Sequence, residues 1–143
     1  MVRTRLASPS DAPALNTALR QLSTELRDVH SASDSDLEAA LTSGTVQAIL
    51  ADDKDTIGVA LFSPVFSTTN GGYGAFVSDL WVRQEYRNRG IGTMLLDAVL
   101  DRSRELWGAR VTSLVVYDDN HDARAFYASL GFSNHGRFLS RAY

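Results

Sequence analysis

The sequence predicts an α/β domain with a mixed, mostly antiparallel central sheet, one parallel strand pair, and helices on both faces. Three observations predict it. Apolar, β-rich runs at 45–51, 56–66 and 73–83 are joined by short turns at 52–55 and 68–72, the signature of an antiparallel meander. A strand, a helix and another strand follow at 73–83, 93–107 and 110–117, and a crossover of that kind makes its two strands parallel. Ahead of the meander, Leu15, Leu19, Leu22 and Leu26 recur at helical spacing.

Each element has a local reason. Residues 2–7 form a short first strand. Ser10 is placed to cap a helix over about 11–27, with Pro13 in its first turn. The polar stretch 28–35 reads as a loop. A shorter helix at 34–42 carries Leu37, Ala40 and Leu41 on one side and stops at Gly44. After the meander, the helix at 93–107 has Met94, Leu95, Ala98, Val99 and Leu106 as its apolar face. The strand at 110–117 comes next. The last helix, 122–130, ends at Gly131, and 132–143 can supply one or two closing strands.

Composition sets bounds on function. A chain of 143 residues with 44% apolar content is expected to fold as one globular domain over 1–143. The net charge of −3, from 17 acidic and 14 basic residues, argues against non-specific nucleic-acid binding, which is driven by phosphate neutralisation. There is no cysteine, so disulfides, thiolate metal sites and a cysteine acyl intermediate are excluded. His121 and His135 stand alone without metal-ligand spacing, and no metal site is expected. No apolar run approaches the roughly 20 residues of a membrane span. The beginning of the chain, with Arg3, Arg5, Pro9 and Asp11, does not read as a secretory signal. A cytoplasmic location without membrane partner is the expectation.

The chemistry concentrates at Arg87-Asn88-Arg89-Gly90-Ile91-Gly92, between a strand and a helix that begins at Thr93. Amides at a helix N-terminus have no internal partner, and the helix dipole favours negative charge there. Gly90 and Gly92 let the backbone approach an anion without a Cβ in the way. Arg87 and Arg89 add positive charge. This is neither a P-loop, since no Gly-Lys-Ser/Thr follows, nor the dinucleotide fingerprint, since the third glycine falls at Leu95. Two glycines one residue apart also occur in ordinary tight loops.

The surroundings add to the reading. Arg-x-x-Gly-x-Gly after a strand ending in Val82-Arg83 resembles the acyl-CoA pyrophosphate loop of the GNAT superfamily of N-acetyltransferases. A second block, Asn120-His121-Asp122-Ala123-Arg124-Ala125-Phe126-Tyr127-Ala128-Ser129-Leu130-Gly131-Phe132, resembles that family's Asn-x-x-Ala-x-x-Phe-Tyr-x-x-x-Gly-Phe segment. The stretch from Val2 to Asp11 is similar to its first strand and entry to the first helix. The resemblance covers nearly the whole chain. It implies the GNAT fold and acetyl-CoA as cosubstrate, with a primary amine as acceptor and no metal. Direct attack in a ternary complex is the implied mechanism, and the family's habit of dimerising makes a homodimer an expectation.

The resemblance also implies roles. The backbones of Leu80, Trp81 and Val82 pair with pantetheine, and the N–H of Leu80 faces the thioester carbonyl, where one such donor contributes roughly 3 kcal/mol of transition-state stabilisation. The segment Arg87, Asn88, Arg89, Gly90, Ile91, Gly92 and Thr93 holds the pyrophosphate. Asn120 reads as a helix N-cap, as a pantetheine contact, or as both. Tyr127 reads either as a half-buried aromatic or as the acid that serves the departing thiolate.

The general base is where the pattern departs from the family. The segments 61–63 and 78–82 look most like the diamine and thialysine acetyltransferase branch, where a Glu-Asp pair stands. Here Ser78 replaces the first member, and Phe76 occupies the base position of another branch. Period-two alternation places Phe76, Ser78, Leu80 and Val82 on one face and Val77, Asp79 and Trp81 on the other. Candidates for proton removal are Asp79, Glu25, His30, or a water chain held by Ser78. Glu25, Asp28, Asp34, Asp36 and Glu38 fall where this fold builds its acceptor pocket, although solvated surface is the plainer reading. Two other functions stay open: a non-catalytic acyl-CoA-binding module, and an acetyltransferase acting on protein N-termini.

Overall fold

The computed structural model describes residues 1–136 and 139–141. It divides into two compact units, Met1–Ser113 and Leu114–Tyr143. The element order is β1 (Arg3–Leu6), α1 (Ala12–Leu26), α2 (Asp34–Ser43), β2 (Gln47–Asp53), β3 (Asp55–Ser67), β4 (Gly72–Val82), α3 (Ile91–Trp107), β5 (Thr112–Leu114) and α4 (His121–Ser129). Among the described residues the strands make one five-stranded sheet in sequence order, antiparallel from β1 to β4, with β4 and β5 parallel. The expected mixed sheet and its parallel pair are present.

In the larger unit the two faces of the sheet are covered differently. On one face Ala12, Leu15, Ala18 and Leu19 of α1 and Leu37 and Leu41 of α2 bury against Ala48, Leu50, Val59 and Trp81. On the other, Trp107 of α3 meets Phe62 edge-on at 5.8 Å, and Leu95 of α3 lies over Gly58. The leucine spacing read in α1 therefore does serve the core, and each fully buried leucine contributes roughly 1.5–3 kcal/mol.

Several boundaries differ from the sequence reading for local reasons. A 3-10 turn, Pro9–Asp11, precedes α1, so Asp11 rather than Ser10 sits at the α1 N-cap, with proline just inside the helix. Helix α3 begins at Ile91, two residues earlier than expected, because Gly90 takes the left-handed N-cap conformation (φ 79°) and buried Ile91 anchors the first turn. Strand β5 is only three residues long, against the expected 110–117. The turn before β3 closes on Lys54 in the left-handed region.

The smaller unit holds α4, and Asn120 is its N-cap as expected, accepting from the Ala123 N–H at 3.3 Å. Gly131 follows the helix with φ 91°. The closing strands expected over 132–143 fall partly on residues 137, 138, 142 and 143, outside those described; the described residues of that stretch form no strand. Among the described residues no helix is long and apolar enough to cross a membrane.

Candidate active site at the end of β4

A β-bulge decides which side chains meet. Along β3 and β4, Leu61 is opposite Asp79 while Phe62 is opposite Val77, so Ser78 is an extra residue in β4. Opposed residues share a face. Leu61 packs on the α1–α2 cluster and Phe62 on α3. Asp79 and Trp81 therefore face α1, and Val77 faces α3. This corrects strict alternation, which grouped Val77 with Asp79 and Trp81. The register shift separates them, and the exposed Ser78 hydroxyl donates to Leu61 O at 3.3 Å.

Asp79 is half-buried, and its carboxyl is raised above the usual range, first by burial. A hydrogen bond with Ser78 and the charge of His30 work against that rise, while the negative charge of Asp28 adds to it. Asp79, His30 and Asp28 are thus electrostatic neighbours, which spacing along the chain did not show.

Beyond the bulge the edge of β4 is open. The Ala75 N–H donates to Val111 O at 2.8 Å, which sets β5 beside the early part of β4. Three residues of β5 reach roughly 10 Å along a strand whose eleven residues run well past them. Among the described residues no strand flanks the 79–82 end on that edge.

The chain then enters the glycine loop. Asn88 (φ 62°) and Gly90 (φ 79°) both adopt the left-handed conformation, and the space around the missing Cβ of Gly90 is open. Gly90 provides no side-chain cap, and the first amide of this turn to bond back is Met94, to Gly90 O at 3.0 Å. The first amides of a helix have no intrahelical partner, here those of Ile91, Gly92 and Thr93, and they lie at the positive end of the α3 dipole.

The two loop arginines are used differently. Arg89 stacks over the ring of Tyr86 at 5.3 Å. Arg87 donates through Nε to Val82 O at 2.7 Å and through Nη2 to both oxygens of Glu25, at 2.6 and 2.9 Å. Glu25 also accepts from the Trp81 indole N–H at 3.1 Å. The α1 helix is in this way latched to the loop. A cavity of about 330 Å³ beside the latch is lined by Thr17, Gln21, Glu25, Trp81, Arg83 and Gln84 among others. Of the candidates for proton removal Glu25 lines it, and Asp79 and His30 do not.

Most of the acidic residues expected around an acceptor are committed to structure. Glu25 holds Arg87 and Trp81, Asp34 accepts from Asn16, and Asp36 completes a capping box with Ser33 at the start of α2. Asp79 is left as the half-buried carboxylate of this region. Among the described residues no group of His, Asp and Glu comes together to hold a metal.

A family model described as Acetyltransferase (GNAT) family matches residues 15–132. The chain belongs to the GNAT acetyltransferase family. A stretch of 80 residues is 32% identical to an L-ornithine N5-acetyltransferase, NATA1, of Arabidopsis thaliana, covering 56% of this chain and 35% of that protein. The chain spans 35% and 37% of the length of the curated relatives it matches first. The fold is similar to that of a ribosomal-protein-alanine N-acetyltransferase from Brucella melitensis biovar Abortus 2308, with a TM-score of 0.83, 19% identity, and coverage of 99% of this chain and 100% of that one. An aminoglycoside N-acetyltransferase solved in complex with CoA has a TM-score of 0.81 at 18% identity, over 100% of this chain and 95% of its own.

In this GNAT chain the second motif block lies in the smaller unit. Tyr127 is on α4 between Phe126 and Phe132, with ring centroids 5.3 and 5.6 Å away. Burial pushes its phenol up to about 12. Arg124 donates to Asp118 O at 3.0 Å, which gives it a structural use.

Proposed function

We propose that this GNAT chain transfers an acetyl group from acetyl-CoA to the primary amine of a small acceptor, by direct attack with both substrates bound. The observation that carries the reading is the α3 N-terminus: three amides without an intrahelical partner and an open left-handed glycine, following a strand whose last residues no described strand flanks. That arrangement fits a diphosphate at the amides of Ile91, Gly92 and Thr93, and an extended pantetheine along Leu80–Val82. The amine nitrogen bonds to the thioester carbonyl carbon as the C–S bond breaks. The Leu80 N–H stabilises charge on the carbonyl oxygen, Asp79 takes the ammonium proton, and Tyr127 serves the sulfur. A phenol near 12 cannot readily surrender its proton to a thiolate whose thiol titrates near about 8.5. The role it supports is a hydrogen bond to the departing sulfur. Likeness to an ornithine acetyltransferase supports a small amine-bearing acceptor over a peptide.

Thiol release from acetyl-CoA, measured against a panel of diamines, amino acids and short peptides, tests the reading. Release with at least one small amine, and acetylated product by mass, is expected. Tight CoA binding with no release for any acceptor makes the chain a binding module, and release with peptides alone moves the acceptor to protein N-termini.

A further inference from the structure

The N–H of Arg83, just past β4, donates to Ile57 O at 2.7 Å. In an antiparallel ladder, residues that exchange such bonds alternate with residues whose N–H and C=O point away from the partner strand. Val82 is opposite Gly58, one place along from that bonded pair. Its carbonyl therefore points away from β3, onto the edge of β4 that no described strand flanks there. Arg87 already holds it: Nε donates to Val82 O at 2.7 Å. The guanidinium stands where the N–H of an added strand would come.

Glu25 keeps the guanidinium in that place. Nη2 of Arg87 donates to Oε1 and Oε2 of Glu25 at 2.6 and 2.9 Å. The carboxylate is fixed in turn by the Trp81 indole N–H, which donates to Oε2 at 3.1 Å. Trp81 is buried in the cluster under α1, so Glu25 keeps that anchor when Arg87 leaves. The ion pair itself is more easily broken. Its side chains are 41% and 37% exposed, and solvent weakens a pair in that setting. A diphosphate offers an arginine short, charge-assisted and bidentate bonds. One held at the first turn of α3 competes well for the same guanidinium.

We propose that Arg87 is a displaceable plug on the cofactor edge of β4, and that Glu25 is the residue that positions it there. This rests on the acetyl-transfer reading and deepens it, by naming how that site selects its acyl donor. The diphosphate draws Arg87 off Val82 O, and an amide N–H of pantetheine takes the freed carbonyl. Hydrogen bonds are exchanged and no covalent bond changes. The two halves of CoA then help each other to bind, since one removes what blocks the other. A donor with pantetheine but no diphosphate meets a closed edge. The chain thus favours thioesters of the whole nucleotide over those of pantetheine alone.

Titrations with pantetheine and ADP as separate probes, followed by ¹⁵N–¹H spectra, test it. In the wild-type protein, saturating ADP is expected to lower the Kd for pantetheine about fivefold and to move the Nε–H signal of Arg87. Arg87→Met keeps an apolar stem and removes every donor. It is expected to bind pantetheine about fivefold more tightly than wild type, with or without ADP, and to bind ADP more weakly. An arginine that served only to attract phosphate would leave neutral pantetheine unaffected, so the gain is the mark of a plug. Glu25→Gln is expected to shift pantetheine in the same direction by less, and it scores the proposal alone if Arg87→Met does not fold. Equal pantetheine affinity in wild type and in the folded variants would overturn the plug. So would CoA that saturates the wild type while the Arg87 Nε–H signal stays in place, with the acetyl-transfer reading left standing. No binding of CoA to well-folded wild type removes that reading and the plug with it.

Discussion

Nη2 of Arg87 lies 2.6 Å from Oε1 and 2.9 Å from Oε2 of Glu25, so one of the two loop arginines already has a carboxylate on it. Its positive charge is partly cancelled before any anion arrives. Glu25→Gln leaves an acceptor for the Trp81 indole and frees that charge. CoA is expected to bind severalfold more tightly to the variant, a gain of about 0.5–1 kcal/mol for a half-exposed pair, read by calorimetry. Weaker binding would show that the pair itself is the productive geometry.

Two glycines should fail for different reasons. A Cβ at Gly74 would stand 2.9 Å from Val111 O, a backbone atom that cannot step aside. Gly74→Ala is expected to lose about 1–3 kcal/mol by urea melting. At Gly90 the space is open but φ is 79°, so Gly90→Ala costs about 1 kcal/mol. Gly90→Glu adds a carboxylate where the diphosphate is proposed to sit and should abolish CoA binding. Retained binding in Gly90→Glu, with the fold intact, contradicts the site.

Tyr127→Phe removes one hydroxyl and keeps the ring contacts with Phe126 and Phe132. A hydrogen bond to a charged sulfur is worth about 1.5–3 kcal/mol, so kcat should fall roughly tenfold to a hundredfold while the Kd for CoA changes little. Because the folded phenol titrates near 12, it stays protonated throughout the working range and gives no alkaline limb below that. Unchanged turnover with the true acceptor removes the role.

One source of stability that acid removes is the cluster of Arg5, Asp11 and Asp52. Arg5 donates from Nη1 and Nη2 to Asp11 at 2.8 and 3.0 Å, and from Nε to Asp52 at 2.7 Å. Its guanidinium is the main cause that holds the Asp11 carboxyl down to about 2 from an ordinary 3.8. A lowered folded value means the stabilisation is complete above the ordinary value and is lost as pH falls from there through about 2. With Arg5 47% exposed, solvent screening limits the contribution to about 1 kcal/mol. Asp11→Asn should therefore be less stable by about that amount at pH 7 and no less stable at the acid end. An equal deficit at both pH values would contradict the assignment.

Much of the fold and the position of the glycine loop was legible because the signals are local. Leucine spacing located α1, turn residues located the meander, and Arg87 to Gly92 marked the loop. What escaped was set by partners distant in sequence. The extra residue at Ser78 is a property of two strands in register, and an alternating pattern read along one strand cannot reveal it, so the face of Val77 relative to Asp79 was misassigned. Ile91 and Gly92 read as loop because glycine is a poor helix former, yet at the second position of a helix it leaves a donor free at little cost. Asn16 lies between leucines and gave no sign of its bond to Asp34; a polar residue on the apolar side of a helix was the signal available. His30 stands only among several candidates, since its hydrogen-bond partners Asn16 and Ser23 lie 14 and 7 residues before it on α1.

The central claim is that the first turn of α3 grips the diphosphate of CoA. Amide ¹⁵N–¹H spectra recorded during a CoA titration test it most directly. Saturable shifts greatest at Ile91, Gly92 and Thr93 are the expected result. A well-folded protein whose amides at these positions do not move at saturating CoA would contradict it.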